Sequence, residues 1–128
     1  MRDPAQGDAS DRLSFEDGVR LFNEREFWHA HEAWEELWLE EDDDDRVLFY
    51  QGLIQLAAAY HHMKRGTFPG AVRLFDASLQ KLERFSPDFL GLDRENVVKS
   101  AQVHRERARR GEFLDPGEYP KLQFHHPI

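Results

Sequence analysis

An all-α fold follows from three features of this sequence. Apolar residues recur at spacings of three and four through most of the chain. No stretch alternates with period two for long enough to make a convincing strand, and short polar breaks carrying Gly or Pro separate the apolar segments. Together they predict a compact bundle of about five helices, built from antiparallel hairpins around a buried third helix.

The first helix is expected over residues 14–23, where Ser14 and Asp17 have capping-box spacing and Phe15, Val19 and Phe22 form the inner face. Residues 1–13 are polar, contain Pro4 and Gly7, and read as a flexible N-terminal tail. The break Asn23-Glu24-Arg25 is short enough to force a hairpin with a second helix running to about residue 40. Asp42, Asp43, Asp44 and Asp45 form a solvated loop. The third helix, about residues 46–65, ends at a left-handed Gly66 cap and is apolar almost all round, with Gly52, Ala57, Ala58 and Ala59 letting neighbours approach closely. A fourth helix over about residues 70–85 buries Ala71, Leu74, Phe75, Ser78, Leu79 and Leu82. Pro87 opens a short extra turn, and Asp93 caps a fifth helix that buries Val97, Ala101 and His104. Residues 14–111 thus form a single domain, and residues 112–128 an irregular tail strapped on by Phe113, Tyr119, Leu122 and Phe124.

Composition bounds the function. A chain of 128 residues with 40% hydrophobic and 33% charged residues suits one domain with one core. The absence of cysteine removes disulfides, thiolate catalysis and Cys-type zinc sites, and fits a cytoplasmic protein. No secretory signal pattern is present, and the apolar run at residues 47–60 is too short for a bilayer, so no membrane partner is expected. The net charge of −8 argues against nucleic acid, and Arg105, Arg107, Arg109 and Arg110 read as cations placed at a helix C-terminus. Arginines outnumber lysines thirteen to four, which with the acid excess weakly suggests a salt-adapted host. A homo-oligomer, a small ligand and a protein partner all stay open.

Chemistry concentrates in Phe27-Trp28-His29-Ala30-His31-Glu32-Ala33-Trp34-Glu35-Glu36-Leu37-Trp38, which holds all three tryptophans. At about 100° per residue, Phe27, His31, Trp34 and Trp38 share a stripe, and Glu35 lies within about 40° of His31. A histidine and a carboxylate on a burial stripe need a hydrogen-bond partner, each other or a metal. His29 projects to the exposed side, and His125 and His126 are incidental tail residues. On the third helix, Gln51, Gln55, Ala58 and His62 line one side, with His61 beside them. Two readings stand: a buried polar network that fixes helix register, or a pocket of His31, Glu35, Gln51 and His61 walled by Trp34 and Trp38. His31, Glu35 and His61 could ligate a divalent zinc, manganese or iron ion, with Glu32 as base to a metal-bound water. His-Glu-x-x-Glu is not the zincin His-Glu-x-x-His, so that assignment does not transfer. No Glu-x-x-His in helical register supports a di-iron site.

Phe22-Asn23, Phe27-Trp28, Ala30-His31-Glu32, Glu35 and Trp38, followed by Gln51-Gly52-Leu53-Ile54-Gln55, Ala57, Ala59, His61, Gly66 and Gly70-Ala71, carry a resemblance. Over residues 15–82, with Gly91-Leu92-Asp93 as a further match, the chain resembles the domain-of-unknown-function family 309. The resemblance implies a compact all-helical domain. That family is sometimes labelled a predicted metal-dependent hydrolase, which would put a site at His31, Glu32, Glu35, Trp38, Gln51, Gly52 and His61 and set His61 ahead of His62. It implies no substrate. A non-catalytic ligand- or partner-binding module is the leading expectation, and the hydrolase the alternative.

Overall fold

Pro4 opens the first helix of the computed structural model, which describes the backbone of residues 4–124 and the side chains of residues 14–124. This helix, α1 (Pro4–Asn23), begins well before the expected start at Ser14. A proline in the first turn gives up an N–H that would have no partner there, and among residues 5–13 only Gly7 disfavours helix. Ser14 is therefore inside the helix and does not cap it. Four more helices follow: α2 (Phe27–Glu40), α3 (Asp44–Arg65), α4 (Phe68–Leu82) and α5 (Arg94–Arg109), with 3₁₀ turns at Phe89–Gly91 and Pro116–Glu118. The described residues contain no strand, only an isolated antiparallel bridge between Leu92 and Phe124. The fold is all-α, and no helix among the described residues is long and apolar enough to cross a membrane.

Successive helices pack on one another, and α3 lies between α2 and α4. The centre of the core is aromatic. Tyr60 of α3 meets Phe22 at 5.7 Å, Phe27 at 5.5 Å and Phe75 at 4.9 Å between ring centroids. The small residues of α3 act as expected. A Cβ on Gly52 would lie 2.9 Å from a Leu82 methyl, and the Ser78 hydroxyl of α4 donates to the Gly52 carbonyl at 2.7 Å. Gly66 ends α3 in the left-handed region, at φ 75°. The aspartate run has a structural use beyond solvation. Asp43 caps α3 by accepting from the Arg46 N–H at 2.9 Å, and Asp44 and Asp45 sit in its positively polarised first turn.

The arginines near the end of α5 are spent on packing. Arg105 bonds Asp76 of α4 at 3.1 Å, while Arg107 reaches Glu112, Glu118 and the Phe113 carbonyl. Asn23 holds the last described stretch in both directions: it donates to the Leu122 carbonyl at 3.0 Å and accepts from the Leu122 N–H at 2.7 Å. Leu114 and Leu122 are the buried anchors of this stretch. Phe113, expected to be one, is largely exposed and only leans on Phe68. The neighbouring Leu114 takes the inward position instead. His125 and His126 lie outside the described residues.

Candidate functional site

α2 has two neighbours, and that sets its rotation. Its buried residues are Phe27, Ala30, Trp34 and Leu37, a stripe aimed between α1 and α3. Phe27 and Trp34 lie where expected. His31, Trp38 and Glu35 sit to one side of that stripe, not at its centre. Trp34 turns toward α1, where its indole N–H donates to the Phe15 carbonyl at 3.2 Å, and Gly18 leaves room for the ring. Trp34 therefore does not wall a pocket with His31.

Trp28 takes that place. Its indole stacks on the His31 imidazole at 4.7 Å and 12°, and His61 of α3 tilts against its other neighbourhood at 5.3 Å. His62 lies 5.9 Å from His61 and packs near the backbone of Gly70. The spacing of three between Trp28 and His31 puts them on one side of a helix, so the sequence held the signal for Trp28. Treating His31 as the centre of the apolar stripe obscured it.

His31 Nε2 lies 3.6 Å from Glu35, with side chains 17% and 46% exposed. The carboxylate thus faces water and is not a buried partner. Glu32 is exposed and meets His29, itself exposed as expected, at 3.4 Å. The Phe27–Tyr60 and Trp28–His61 pairs fix the antiparallel register of α2 and α3. At about 1.5 Å per residue, Gln51 lies roughly 15 Å along α3 from His61, so these two do not meet. In that register Gln51 is level with Trp38, and Gln55 falls between Trp38 and His31. The expected compact pocket is instead a seam, running from Trp28, His31 and His61 at one end to Trp38 and Gln51 at the other, with His62 turned to α4.

Three buried side-chain atoms along this seam have no hydrogen-bond partner, His31 Nδ1, Trp38 Nε1 and Gln55 Oε1, and a fourth, His62 Nδ1, is turned toward Gly70 of α4. Among the described residues the Nε atoms of Arg94, Arg105 and Arg107 also lack an aligned hydrogen bond, although those of Arg105 and Arg107 are ion-paired with Glu106 at 3.5 Å and Glu112 at 2.9 Å. His61 titrates below the usual imidazole range, first because burial penalises its cation, then because His62, Arg65, Lys64 and His31 add like charge. It is neutral at pH 7. A metal fits these residues poorly. Among the described residues no three His, Asp or Glu side chains are grouped to hold one, and Glu32 is on the His29 side of α2. No reaction step through a metal follows.

Sequence reasoning also left one buried polar pair unassigned. Tyr60 and His104 share a 2.6 Å hydrogen bond between α3 and α5. Burial, with Tyr119 nearby, raises Tyr60 well above the usual phenol range, and burial lowers His104. Both are neutral, and the pair is satisfied within the core.

The sequence pattern of the family described as Domain of unknown function (DUF309) matches residues 15–74, which hold α2, α3 and the whole seam. The chain is also similar to the uncharacterized protein YpuF of Bacillus subtilis (strain 168), 35% identical over 86 residues. That match covers 66% of this chain and 49% of YpuF, so the chain spans about half the length of this relative. The family and the relative carry no assigned activity, and the function of this chain is likewise unassigned.

Proposed function

We propose that this chain is a non-catalytic binding module whose ligand is a small, neutral, polar molecule held along the α2–α3 seam. The observation that carries this is the set of three buried, unpartnered polar atoms, His31 Nδ1, Trp38 Nε1 and Gln55 Oε1, on two adjacent helices. Each such atom costs about 1–3 kcal/mol if nothing bonds it. Buried polar side chains in the core find partners, as Trp34, Ser78 and the Tyr60–His104 pair illustrate. A ligand that repays the Trp38 end of the seam needs an acceptor for the Trp38 N–H and a donor for Gln55 Oε1. The hydrolase reading has less support, because Glu32 and His61 do not converge with Glu35 on one point. The absence of cysteine in the sequence suits a cytoplasmic setting.

Nicotinamide, uracil and glycinamide, added at millimolar concentration to isotope-labelled protein, test this reading. At least one should move the Trp38 indole and the His31 imidazole resonances together and saturably, and Gln55→Leu should abolish the effect. Failure of all three, or binding unchanged in Gln55→Leu, overturns the reading. Zinc chloride should leave those resonances in place, and saturable movement with zinc would favour a metal site instead.

A further inference from the structure

Four large apolar side chains are exposed among the described residues, and two of them, Trp28 at 48% and Leu39 at 70%, are on α2. Their separation of eleven residues is about three turns, so they lie about 20° apart around the helix and roughly 16 Å apart along it. Glu32 and Glu35 sit between them on the same face, and Glu36 flanks it. The helix sequence contains no lysine or arginine. Glu32 and Glu35 are met by His29 and His31, which are cations only when protonated. Glu32 and Glu36 repel at i,i+4, and the C-terminal turn, where helix dipoles favour cations, has none. Taken alone, this face is electrostatically unfavourable, and a row of cations would relieve it.

We propose that the outer face of α2 docks a basic protein segment, with Trp28 and Leu39 as its two apolar contacts and the glutamates between them pairing with lysine or arginine. Charge decides the occupant. Nucleic acid and anionic membranes have the wrong sign for Glu32, Glu35 and Glu36. A second copy is also unsuitable: the chain carries net charge −8, and the α5 arginines are engaged with Asp76, Glu106, Glu112 and Glu118. Trp28 offers a particular contact. His31 covers one face of its indole and His61 tilts against it, yet Trp28 stays 48% exposed and leaves ring surface for a guanidinium or a lysine stem. Trp28 also closes one end of the seam, whereas Leu39, Glu32 and Glu36 are exposed outside it, so Leu39→Ala and Glu32→Gln alone separate the docking inference from the small-ligand reading.

The test uses the full chain and a synthetic helical peptide of lysine and leucine, with leucines spaced to span three turns. Controls are a lysine–serine peptide of equal charge and a glutamate–leucine peptide. Calorimetry should show salt-weakened binding of the lysine–leucine peptide. Trp28→Ala/Leu39→Ala should weaken it about ten-fold or more, as loss of central apolar anchors does. Glu32→Gln/Glu35→Gln should weaken it and flatten the salt dependence, whereas Asp42→Asn/Asp45→Asn, in the exposed loop and the exposed first turn of α3, should change it less than about two-fold. Circular dichroism confirms that each variant folds. Absence of binding at low salt overturns the proposal. So does equal binding of either control peptide, an unchanged affinity in Trp28→Ala/Leu39→Ala, or an Asp42→Asn/Asp45→Asn effect as large as that of the glutamate pair.

Discussion

Gly18→Ala should destabilise this protein, although alanine is normally the better helix residue by about 1 kcal/mol. A Cβ at Gly18 would lie 2.1 Å from Trp34 Nε1 and 2.5 Å from Cδ1 and Cε2 of the same ring. Carbon contacts relax near 3.5–4.0 Å, so the indole must shift by more than about 1 Å. Trp34 is fully buried, and its N–H bond to the Phe15 carbonyl is 3.2 Å long. The shift breaks that bond and orphans both groups, at about 1–3 kcal/mol. Overpacking adds about 1–3 kcal/mol. After the propensity gain, a net loss of about 1–5 kcal/mol remains, enough to lower the melting temperature by roughly 3–20 °C in a domain of this size. Urea titration followed by far-ultraviolet circular dichroism measures it. An unchanged or more stable Gly18→Ala would mean that Trp34 is not held against α1, and the rotation of α2 that turns Trp28 and His31 toward α3 would be wrong with it.

Two further outcomes follow from the same structure. His104 and His61 both have folded-state values lowered chiefly by burial, so the unfolded chain binds more protons in the window below the usual imidazole value of about 6.5. Stability should be fully present above that value and fall as pH drops through the lowered folded-state values. His104 is faced by Tyr60, Arg107 and Glu118, and His104→Gln should flatten the urea midpoint between about pH 7 and 5, before the carboxylates Glu112 and Glu118 are protonated. Equal slopes in parent and variant would contradict this. Asn23→Ala should cost about 1–3 kcal/mol through the paired bonds to Leu122, and should speed amide exchange at Leu122 and Asp93 while leaving α3 protected. Unchanged exchange at Leu122 would show that the clamp is not what holds this segment.

Much of the fold was legible because the local signals agree with one another. The period of the apolar residues, Gly66, Asp93 and the small residues of α3 all do in the structure what their chemistry demands. The start of α1 was missed because Pro4 was read as a breaker, whereas in a first turn it is tolerated. The candidate site was legible in residue type but not in arrangement. A helix wheel finds the apolar side of α2 but not which two neighbours share it. A rotation of one residue's width moves Trp34 into the core, His31 to the rim and Trp28 onto the site. Gln51 was misplaced for a different reason. A shared helix face says nothing about distance along the axis, which only the register of two helices supplies. The Tyr60–His104 pair joins residues 44 positions apart, and no local pattern announces it.

The central claim is that the polar atoms of the seam are kept for a ligand and not for the fold. The urea-denaturation free energy of His31→Leu/Gln55→Leu tests it most directly. The double variant removes two buried, unpartnered atoms, His31 Nδ1 and Gln55 Oε1, and keeps apolar volume in their place. A ligand site predicts that the variant is as stable as the parent or gains up to about 2 kcal/mol, since functional residues are retained at the expense of stability. A loss of more than about 1 kcal/mol would mean that these side chains hold α2 and α3 together, and would contradict the claim.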